Sequence, residues 1–482
     1  MAVIVSVVLG ALLLLVVRHY FICTISPIAR IPGPWHTKFA GTTVLYHSVV
    51  GSRCEYIHAL HQKYGGTVRL GPNEVSCTDL DVVQTIYSLK EDFLKTDWYA
   101  NFVFAKDVGL FTTSDKDFHR QRRRLLARGL TESSLTKVYH VTTERIDVAM
   151  QQMRSDSTRS GCVDVHKWFY LLATDVIGEL TFGKSYRMLE KGVKSQYIKD
   201  LGDSATLGAF KAFMPVVASV LMLLPWPLNR FSKMRQNLDE YADESLKRFM
   251  SGASGNDKPE HSLFGDMFDA FDKGQVTFHD IQIEAQSNIL AGTDTTANTL
   301  TYLIWNVCRD ASIRSRLVEE LQTLPDSYED SHLKELNYLD CVLQETLRLW
   351  TAAPSSLPRC VPKGGLQAGR HYIPEGVTVS TQAYTLHRNG AVFPRPAVFD
   401  PSRWEHTTDE MKRSMMPFGR GPRICIGMQL AMQEMRRTAA RFFLEFPDAT
   451  ASTKMGMTER DMVPMNHFLL YPSGHRCIVD VN

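Results

Sequence analysis

A single cysteine near the C-terminal end of the sequence lies in a glycine-rich stretch that leads directly into a helix-forming run. The stretch reads PFGRGPRICIG, Pro417 to Gly427, and MQLAMQEMRR follows it. The free N–H groups and the positive dipole end of such a helix lie near the Cys425 sulfur and favour a thiolate. Glycines let the backbone turn sharply and approach a flat partner closely. This pattern indicates a metal-binding thiolate, and the alternative is a buried structural cysteine.

The residues around Cys425 follow a longer pattern. Phe418, Gly421, Arg423, Cys425 and Gly427 form Phe-x-x-Gly-x-Arg-x-Cys-x-Gly, which resembles the haem-binding signature of the cytochrome P-450 family. The resemblance implies that Cys425 is the axial ligand of the iron in haem b, iron protoporphyrin IX. It also implies that Phe418 and Gly427 belong to the cofactor-binding loop and that Arg423 pairs with a haem carboxylate.

A second motif lies inside a long apolar segment that we expect to be helical. AGTDTT, Ala291 to Thr296, resembles the oxygen-activating motif of the same family. Ala291, Gly292 and Thr295 have the spacing of one helix face, on which small side chains leave a groove. Thr295 can bond to the Ala291 carbonyl or hold a water, and Asp294 is one step around the helix. The resemblance implies that Thr295 and Asp294 are catalytic and supply protons, whereas the alternative is a packing notch.

Two further segments predict a structural ion-pair network. QETLR places Glu345 and Arg348 three residues apart on a helix, and FDPSRW supplies Arg403. A Glu-x-x-Arg spacing alone is weak evidence, since Glu434 and Arg437 repeat it and such pairs are usually solvated. Both segments resemble family motifs in the family's order. The resemblance implies a buried triad of Glu345, Arg348 and Arg403 behind the haem.

The most basic run of the chain is DFHRQRRRLL, residues 117–126. Such a run is generically a nucleic-acid patch, but it resembles the family helix that covers the haem propionates. The resemblance implies that Arg123 binds a propionate and that His119, where many members carry Trp, is a further donor. SLPR similarly places Arg359 as a propionate partner. For the remaining arginines, Arg120, Arg122 and Arg124, we expect a face toward a negatively charged electron donor, and a merely solvated face is the alternative.

The N-terminus predicts a membrane anchor. AVIVSVVLGALLLLVV, Ala2 to Val17, carries no charge and as a helix spans about 24 Å. Extension through Ile25 completes a bilayer span of about 30 Å, with Arg18 snorkelling. A cleaved signal peptide is the alternative, but no basic residue precedes the run and no small-residue cleavage site closes it. Basic residues after the run favour a cytosolic catalytic domain at the endoplasmic reticulum membrane.

The remaining pattern predicts one large domain that is mostly α with small β-sheets, a cytochrome P-450-type fold. We expect residues 1–25 to be the anchor, 26–40 a stiff, extended proline-rich linker, and 41–482 the catalytic domain. A second apolar segment, Phe213 to Pro227, is interrupted by prolines. We expect it to be a buried helix, with a surface that dips into the membrane as the alternative. The long helical and strand patterns lie at Val141–Met153, Ile281–Arg309, Ser312–Leu324, Ser331–Trp350, Met428–Leu444, Gly65–Cys77 and His371–Thr381.

Composition excludes several classes of protein. The 482 residues carry a net charge of +2, so no global excess of positive charge predicts a nucleic-acid partner. The nine cysteines are scattered singly, which argues against a disulfide framework and a CxxC zinc site. Aromatic and aliphatic residues occupy the positions where the family lines its substrate pocket, and they indicate a lipophilic substrate. These positions are Trp98, Phe102, Phe104, Phe111, Leu207, Phe210, Ala353–Leu357 and Val463–Phe468.

The resemblance as a whole implies a monooxygenase that inserts one atom of O2 into a lipophilic small molecule. No GxGxxG fingerprint opens a helix after a strand, so we expect NADPH electrons to arrive through an NADPH–cytochrome reductase on the same membrane. The strand region from SLPR to TLHRN resembles fungal secondary-metabolism enzymes. Two alternatives stay open: a haem-thiolate isomerase or dehydratase that needs no reductase, and a non-catalytic haem-binding sensor.

Overall fold

The helices dominate the structure, as predicted. The computed structural model describes residues 2–90, 92–102, 108–183, 185–252 and 263–481. Within them the α-helices are α1 Ala2–Ile25, α2 Thr42–Val49, α3 Arg53–Tyr64, α4 Leu80–Ile86, α5 Asp97–Ala100, α6 Lys116–Ala127, α7 Glu132–Lys137, α8 Tyr139–Ser160, α9 Val165–Phe182, α10 Met188–Lys191, α11 Gln196–Phe213, α12 Pro215–Leu221, α13 Pro225–Gly252, α14 Gly265–Asp272, α15 Phe278–Arg309, α16 Ala311–Leu321, α17 Asp330–Lys334, α18 Asn337–Leu349, α19 Ala383–Leu386, α20 Asp409–Ser414 and α21 Met428–Glu445.

The strands are short and form small sheets. They are β1 Thr67–Gly71, β2 Glu74–Cys77, β3 Val163–Asp164, β4 Arg359–Cys360, β5 Leu366–Ala368, β6 His371–Ile373, β7 Thr378–Ser380, β8 Thr450–Ala451, β9 Pro464–Asn466, β10 Leu470–Pro472 and β11 Ile478–Asp480. The largest sheet has the order β1-β2-β7-β4, with β2 and β7 parallel and the other pairs antiparallel. The strand predictions at Gly65–Cys77 and His371–Thr381 are therefore confirmed.

The long helix α15 runs through the centre of the molecule. Thr277 caps its first turn in a reciprocal box with Asp280, and Asp310 ends it by capping α16. Every residue from Thr296 to Cys308 is buried, which is typical of a helix enclosed on all sides. It packs against α9, α18 and α21 in the main hydrophobic core. The half that precedes Thr296 is more open, and it carries the Ala291–Thr295 segment.

The proline-rich linker packs onto the sheet. It forms two short 3₁₀ helices, Pro27–Arg30 and Trp35–Lys38, so the prediction of an extended connector is wrong. Arg69 on β1 is 2% exposed and donates to the carbonyls of four linker residues, Ile28, Ala29, Ile31 and Pro34. A buried guanidinium has five N–H donors to satisfy, and here the linker carbonyls and the Thr37 hydroxyl accept from them.

The helix α1 has the length and composition of a membrane span. The segment Ile4–Ile25 has a mean hydropathy of 2.2 and contacts little of the remaining protein. Near its end, Tyr20 stacks on Phe39 at 4.8 Å, and His19 lies 2.7 Å from the Phe39 carbonyl oxygen. The C-terminal end of α1 therefore contacts the protein that follows it at Phe39.

The second apolar segment is a surface feature. The short helix α12 exposes Val216 (74%) and Val220 (58%), and Leu223 beyond its end is 79% exposed. The prediction of a buried helix is therefore wrong. Pro215 begins α12 and Pro225 begins α13, so the prolines divide the segment into pieces too short to enter the core.

Candidate functional site: the Cys425 loop and the α15 groove

The loop around Cys425 needs its glycines for two different reasons. Gly419 and Gly421 have φ angles of +75° and +71°, a region that other residues rarely adopt. A Cβ at Gly421 would lie 2.3 Å from the carbonyl oxygen of Tyr87. The Cys425 N–H donates to the Phe418 carbonyl at 2.9 Å and closes the loop. Together these contacts fix the backbone that presents the sulfur.

The Cys425 thiol is accessible from one side and crowded by protein on the others. This crowding raises the pKa of the thiol, while the Gly427 N–H and the Arg123 guanidinium oppose the rise. The helix-end groups thus act as the sequence predicted, but they do not outweigh burial. A coordinated metal would deprotonate the sulfur outright, and the open side leaves room for one.

Four cations surround His119 on α6. Burial and, to a smaller extent, the charges of Arg423, Lys95, Arg123 and Arg359 together lower the pKa of His119 to about 3. The imidazole is therefore neutral near pH 7 and retains one N–H donor. The sequence predicted three of these cations and His119 as partners of haem carboxylates, and the structure brings them together.

Each of the three arginines predicted to bind a propionate is held by neighbouring backbone or a tyrosine. Arg123 donates to the Ile424 carbonyl at 2.8 Å, and Arg423 to the Thr113 carbonyl at 2.8 Å. Arg359 donates to the Tyr99 hydroxyl at 2.9 Å. These three acceptors are uncharged, and the guanidinium groups that they hold suit two carboxylates.

The Ala291–Thr295 segment lies at the open half of α15. The Thr295 hydroxyl donates to the Ala291 carbonyl at 2.7 Å, one of the two arrangements that the spacing predicts. Gly292 has a different neighbour, because a Cβ there would lie 3.0 Å from Ile177 on α9. This glycine therefore permits close packing of α15 against α9, and its place on the groove face stays a prediction.

Asp294 has a perturbed acidity. Burial raises the pKa of its carboxyl to about 6, and the charge of Lys194 opposes this shift. The Lys194 ammonium lies 3.3 Å from the ring centroid of Tyr170, whose pKa is raised by burial and by the Asp294 charge. Lys194 is exposed and its charge acts on Asp294, so the carboxyl has a cationic neighbour at the surface. A carboxyl that titrates near neutrality can both accept and donate a proton.

The predicted Glu345 network is present and larger than predicted. Arg348 donates to both oxygens of Glu345 at 2.8 Å, and Arg403 donates at 3.0 Å. The Trp404 indole and the Asp400 N–H also donate, each at 2.9 Å. Glu345 and Arg348 are completely buried. The network ties the segment Pro401–His406 to α18.

Aromatic rings from distant segments meet at one wall. Trp98 lies 4.7 Å from Phe102 and 5.6 Å from Phe468, and Phe111 lies 5.8 Å from Phe468. Phe213 at the end of α11 joins them, 5.9 Å from Trp98. We call these five rings the aromatic wall. The predicted pocket residue Phe104 is outside the described residues.

The arginines of α6 have different surroundings. The Arg120 side chain is 75% exposed, and it forms a surface pair with Asp117 at 2.8 Å. Arg122 is 5% exposed and pairs with Asp280 at 2.6 Å and with Glu284 at 3.5 Å. The expectation that Arg122 faces an electron donor is therefore wrong, because helical periodicity turns it toward α15.

The sequence reading missed Lys95, Lys194 and Glu284. Lys95 joins the His119 cluster from the residues before α5 and donates to the Phe111 carbonyl. None of the three lies in a motif, and each acts through a contact with a distant segment. Of the three, Glu284 alone lies within a predicted helix, Ile281–Arg309.

The donor set fits a haem. It combines one accessible cysteine sulfur, a cationic cluster suited to two carboxylates, and a glycine loop that a Cβ at Gly421 would disrupt. No group of three or more His, Cys, Asp or Glu side chains in the described ranges is placed to hold a metal ion directly. A macrocycle that brings its own nitrogen ligands needs only the single protein sulfur.

Comparison with known proteins identifies the family. Residues 32–476 match the family model "Cytochrome P450". The chain is 40% identical over 480 residues to cytochrome P450 monooxygenase tazI of Aspergillus terreus, covering 99% of this chain and 98% of that protein. It is 36% identical over 460 residues to cytochrome P450 monooxygenase orf2 of Aspergillus niger, covering 94% and 93%. The chain belongs to the cytochrome P450 family.

Family membership settles the broad chemistry. The chain is an oxidoreductase of the cytochrome P450 monooxygenase class, and the family implies a haem cofactor. Monooxygenases of this kind use O2, a lipophilic substrate and a redox partner. The apolar α1 is compatible with a membrane anchor.

Proposed function

We propose that the chain is a haem-thiolate monooxygenase that inserts one oxygen atom from O2 into a lipophilic small molecule of secondary metabolism. The observation that carries the proposal is the convergence of three features: the accessible Cys425 sulfur, the cations around His119, and the Ala291–Thr295 groove. A haem held by a cysteine thiolate supplies O–O bond cleavage and transfer of one oxygen atom.

The residues of this chain have distinct roles in the proposal. Cys425 binds the iron, with Phe418 and Gly427 shaping its loop. Arg123, Arg359, Arg423 and neutral His119 hold the two propionates through hydrogen bonds and charge. Thr295 and Asp294 act on protons. Glu345, Arg348 and Arg403 support the fold.

Asp294 takes up a proton from the solvent side, where Lys194 lies, and passes it toward Thr295. Support for this step comes from the pKa near 6, which lets the carboxyl exchange a proton close to neutral pH. Thr295 then orients the proton donor at the groove, since its hydroxyl is already held by the Ala291 carbonyl.

The aromatic wall selects the substrate. Its rings offer apolar, polarisable surface and few hydrogen-bond donors, which suits an uncharged molecule with planar or unsaturated parts. A polyketide, terpenoid or alkaloid intermediate has this chemistry. The position of oxidation depends on how the substrate is held against the reacting centre, so desaturation and ring closure are outcomes of the same site.

Electrons from NADPH arrive through an NADPH–cytochrome reductase on the same membrane. A cavity of about 410 Å³ on the His119 side of α6 is lined by Lys90, Lys116, Arg120 and Arg124, with the 84% exposed Leu89 beside them. A positive rim around an apolar residue suits an acidic partner surface.

The proposed location is the endoplasmic reticulum membrane, with α1 as a single anchor and residues 41–482 on the cytosolic side. Residues 26–40 are the linker. The exposed apolar face of α12 supports a second, shallow contact with the bilayer. Protease treatment of sealed microsomes tests this arrangement: the catalytic domain should be degraded without detergent, and full protection would contradict it.

Turnover tests distinguish the proposal from its alternatives. Purified chain, reductase, NADPH and O2 should convert the substrate found by comparing metabolites of a host with and without the chain. Omitting NADPH or the reductase should abolish conversion. Product formed without either would favour an isomerase or dehydratase, and a ligand-induced spectral change with no product would favour a sensor.

A further inference from the structure

The residues 109–113 form a tight turn just before α6. The N–H of Thr112 donates to the Gly109 carbonyl at 3.2 Å, and the N–H of Thr113 donates to the same carbonyl at 3.1 Å. The Gly109 N–H donates in turn to the Thr112 hydroxyl at 3.1 Å. We call residues 109–113 the pre-α6 turn. Its internal bonds set its shape but leave its position to outside contacts.

Side chains from two sides of the site hold the pre-α6 turn. On the cofactor side, Lys95 donates to the Phe111 carbonyl and Arg423 to the Thr113 carbonyl. On the opposite side, the Leu110 N–H donates to a carboxylate oxygen of Glu284 on α15 at 2.9 Å. Gly109 lies against the same helix, since a Cβ there would lie 3.1 Å from Ile283.

Glu284 is built into this contact. It is 2% exposed, and the oxygen that accepts from Leu110 also lies 3.5 Å from Arg122. Arg122 also pairs with Asp280, which lies one helical turn before Glu284 on α15. Burial raises the pKa of Glu284 to about 7, and the Leu110 N–H and the Arg122 charge oppose the rise. Both partners therefore favour the carboxylate that grips the turn.

The pre-α6 turn carries a ring of the aromatic wall. Phe111 lies 5.5 Å from Tyr99, 6.1 Å from Phe102 and 5.8 Å from Phe468. A displacement of the turn away from α15 would therefore move Phe111 and loosen the wall. We propose that Glu284 is a positioning residue that holds the pre-α6 turn against α15 and thereby fixes the substrate-facing place of Phe111.

Amide hydrogen exchange of the full-length holoenzyme tests the contact itself. At pH 8 the Glu284 carboxyl is mostly ionised, and a hydrogen bond to a charged acceptor is strong, so at this pH Glu284→Ala should speed exchange across residues 109–113 by about tenfold or more. Glu284→Gln keeps an oxygen acceptor without the charge and should give a smaller increase. Asp266→Asn, which removes only a surface pair with Arg128 at 3.3 Å, is the matched control and should leave the turn unchanged.

The location of the faster amide exchange decides whether Glu284 holds the turn. Faster exchange confined to the turn, with α9 and the remainder of α15 unchanged, supports the proposal. Unchanged exchange at the turn, or an equal increase across α9 and α15, overturns it. If Glu284→Ala does not fold, Glu284→Gln decides by the same criterion.

Binding of two nitrogenous probes tests the effect on the wall, a step that rests on the proposed function. Glu284→Ala should weaken 4-phenylimidazole about fivefold or more, because loss of the ring contacts of Phe111 costs packing energy, and should leave imidazole unchanged. If Glu284→Ala weakens the binding of both probes equally, Glu284 does not act by positioning Phe111. A protein that binds no haem would refute the proposed function. The hydrogen-exchange measurement would still test whether Glu284 holds the pre-α6 turn.

Discussion

Glu345 is completely buried, and its two carboxylate oxygens accept five hydrogen bonds from four residues. Arg348 and Arg403 neutralise it, and Trp404 and the Asp400 N–H complete its hydrogen bonding. Glu434, on the second Glu-x-x-Arg spacing, is also buried, but one of its oxygens lacks a hydrogen-bond partner among the described residues. Burial raises the pKa of Glu434 to about 8. The same spacing therefore supports a carboxylate at one position and a neutral acid at the other.

The same Glu→Gln substitution should destabilise the protein strongly at Glu345 and only slightly at Glu434. Glu345→Gln leaves Arg348 without its counter-charge and should cost about 3–5 kcal/mol, enough to prevent recovery of haem-loaded protein. Glu434→Gln resembles the protonated acid and should cost about 0.5 kcal/mol. Denaturant unfolding and haem content per chain measure both. Equal tolerance of the two substitutions would contradict the structural role of the triad.

Asp294 should give the reaction a pH dependence that Lys194 controls. Its ionised fraction rises as the pH passes about 6, so product per NADPH should rise there. Lys194→Met removes the opposing charge and should move this inflection to higher pH, while Lys194→Arg should leave it in place. Asp294→Asn should abolish the inflection and slow turnover about 10²-fold. An inflection that persists in Asp294→Asn would assign it to another group.

The raised pKa of Asp294 also makes the free energy of unfolding depend on pH. The folded chain holds the Asp294 proton more tightly than the unfolded chain, because burial raises the pKa from 3.8 to about 6. Its contribution to the unfolding free energy should therefore fall as the pH rises between these values and stay constant above. Asp294→Asn should remove that slope from the pH dependence of unfolding.

At the scale of elements, α12 is placed to touch a bilayer. Val216, Val220 and Leu223 expose apolar surface that water does not favour. In a chain that lacks residues 2–25, Val216→Asp combined with Leu223→Asp should lower binding to phospholipid vesicles about tenfold or more. Met455→Asp changes another exposed residue, 68% accessible, and serves as the control. Equal vesicle binding by all three proteins would exclude α12 as a membrane contact.

The helices that were predicted correctly are those whose apolar pattern lies within the helix's own sequence. The apolar pattern alone predicts a helix at Ile281–Arg309, within a few residues of the observed bounds of α15, Phe278–Arg309. The predicted Ser331–Trp350 helix is instead α17 and α18, separated at Leu336. The Glu320 carboxylate accepts from the N–H groups of Tyr338 and Leu339, at 2.7 and 2.8 Å, and so caps a new helix start. That cap comes from α16 and is invisible in the local sequence.

The candidate site was predictable to a similar extent. Cys425, Thr295 and the triad lie in spaced motifs, so the sequence alone indicated them. Lys95, Lys194 and Glu284 act on residues that are 16, 100 and 174 positions away, at Phe111, Asp294 and Leu110. Such contacts depend on how helices are arranged, and no periodicity in one segment specifies them. The aromatic wall was predicted ring by ring except for Phe213, which enters it through the end of α11.

At the scale of the whole molecule, the basic side of α6 should govern the rate of electron delivery. Arg120→Glu combined with Arg124→Glu should slow reduction by the reductase about tenfold or more at low ionic strength, and the difference should shrink as salt screens the charges. Lys63→Glu, on the exposed face of α3, is a control of the same kind. Rates that ignore both salt and the α6 substitutions would place the docking surface elsewhere.

The central claim is that Cys425 binds a haem iron as a thiolate. The most direct measurement is the difference spectrum of the purified, dithionite-reduced chain with and without carbon monoxide. We expect the long-wavelength Soret band that a thiolate ligand produces, and we expect Cys425→Ser to lose it while Cys360→Ser retains it. A wild-type chain without that band, or a Cys425→Ser chain that keeps it, would show that Cys425 is not the thiolate ligand.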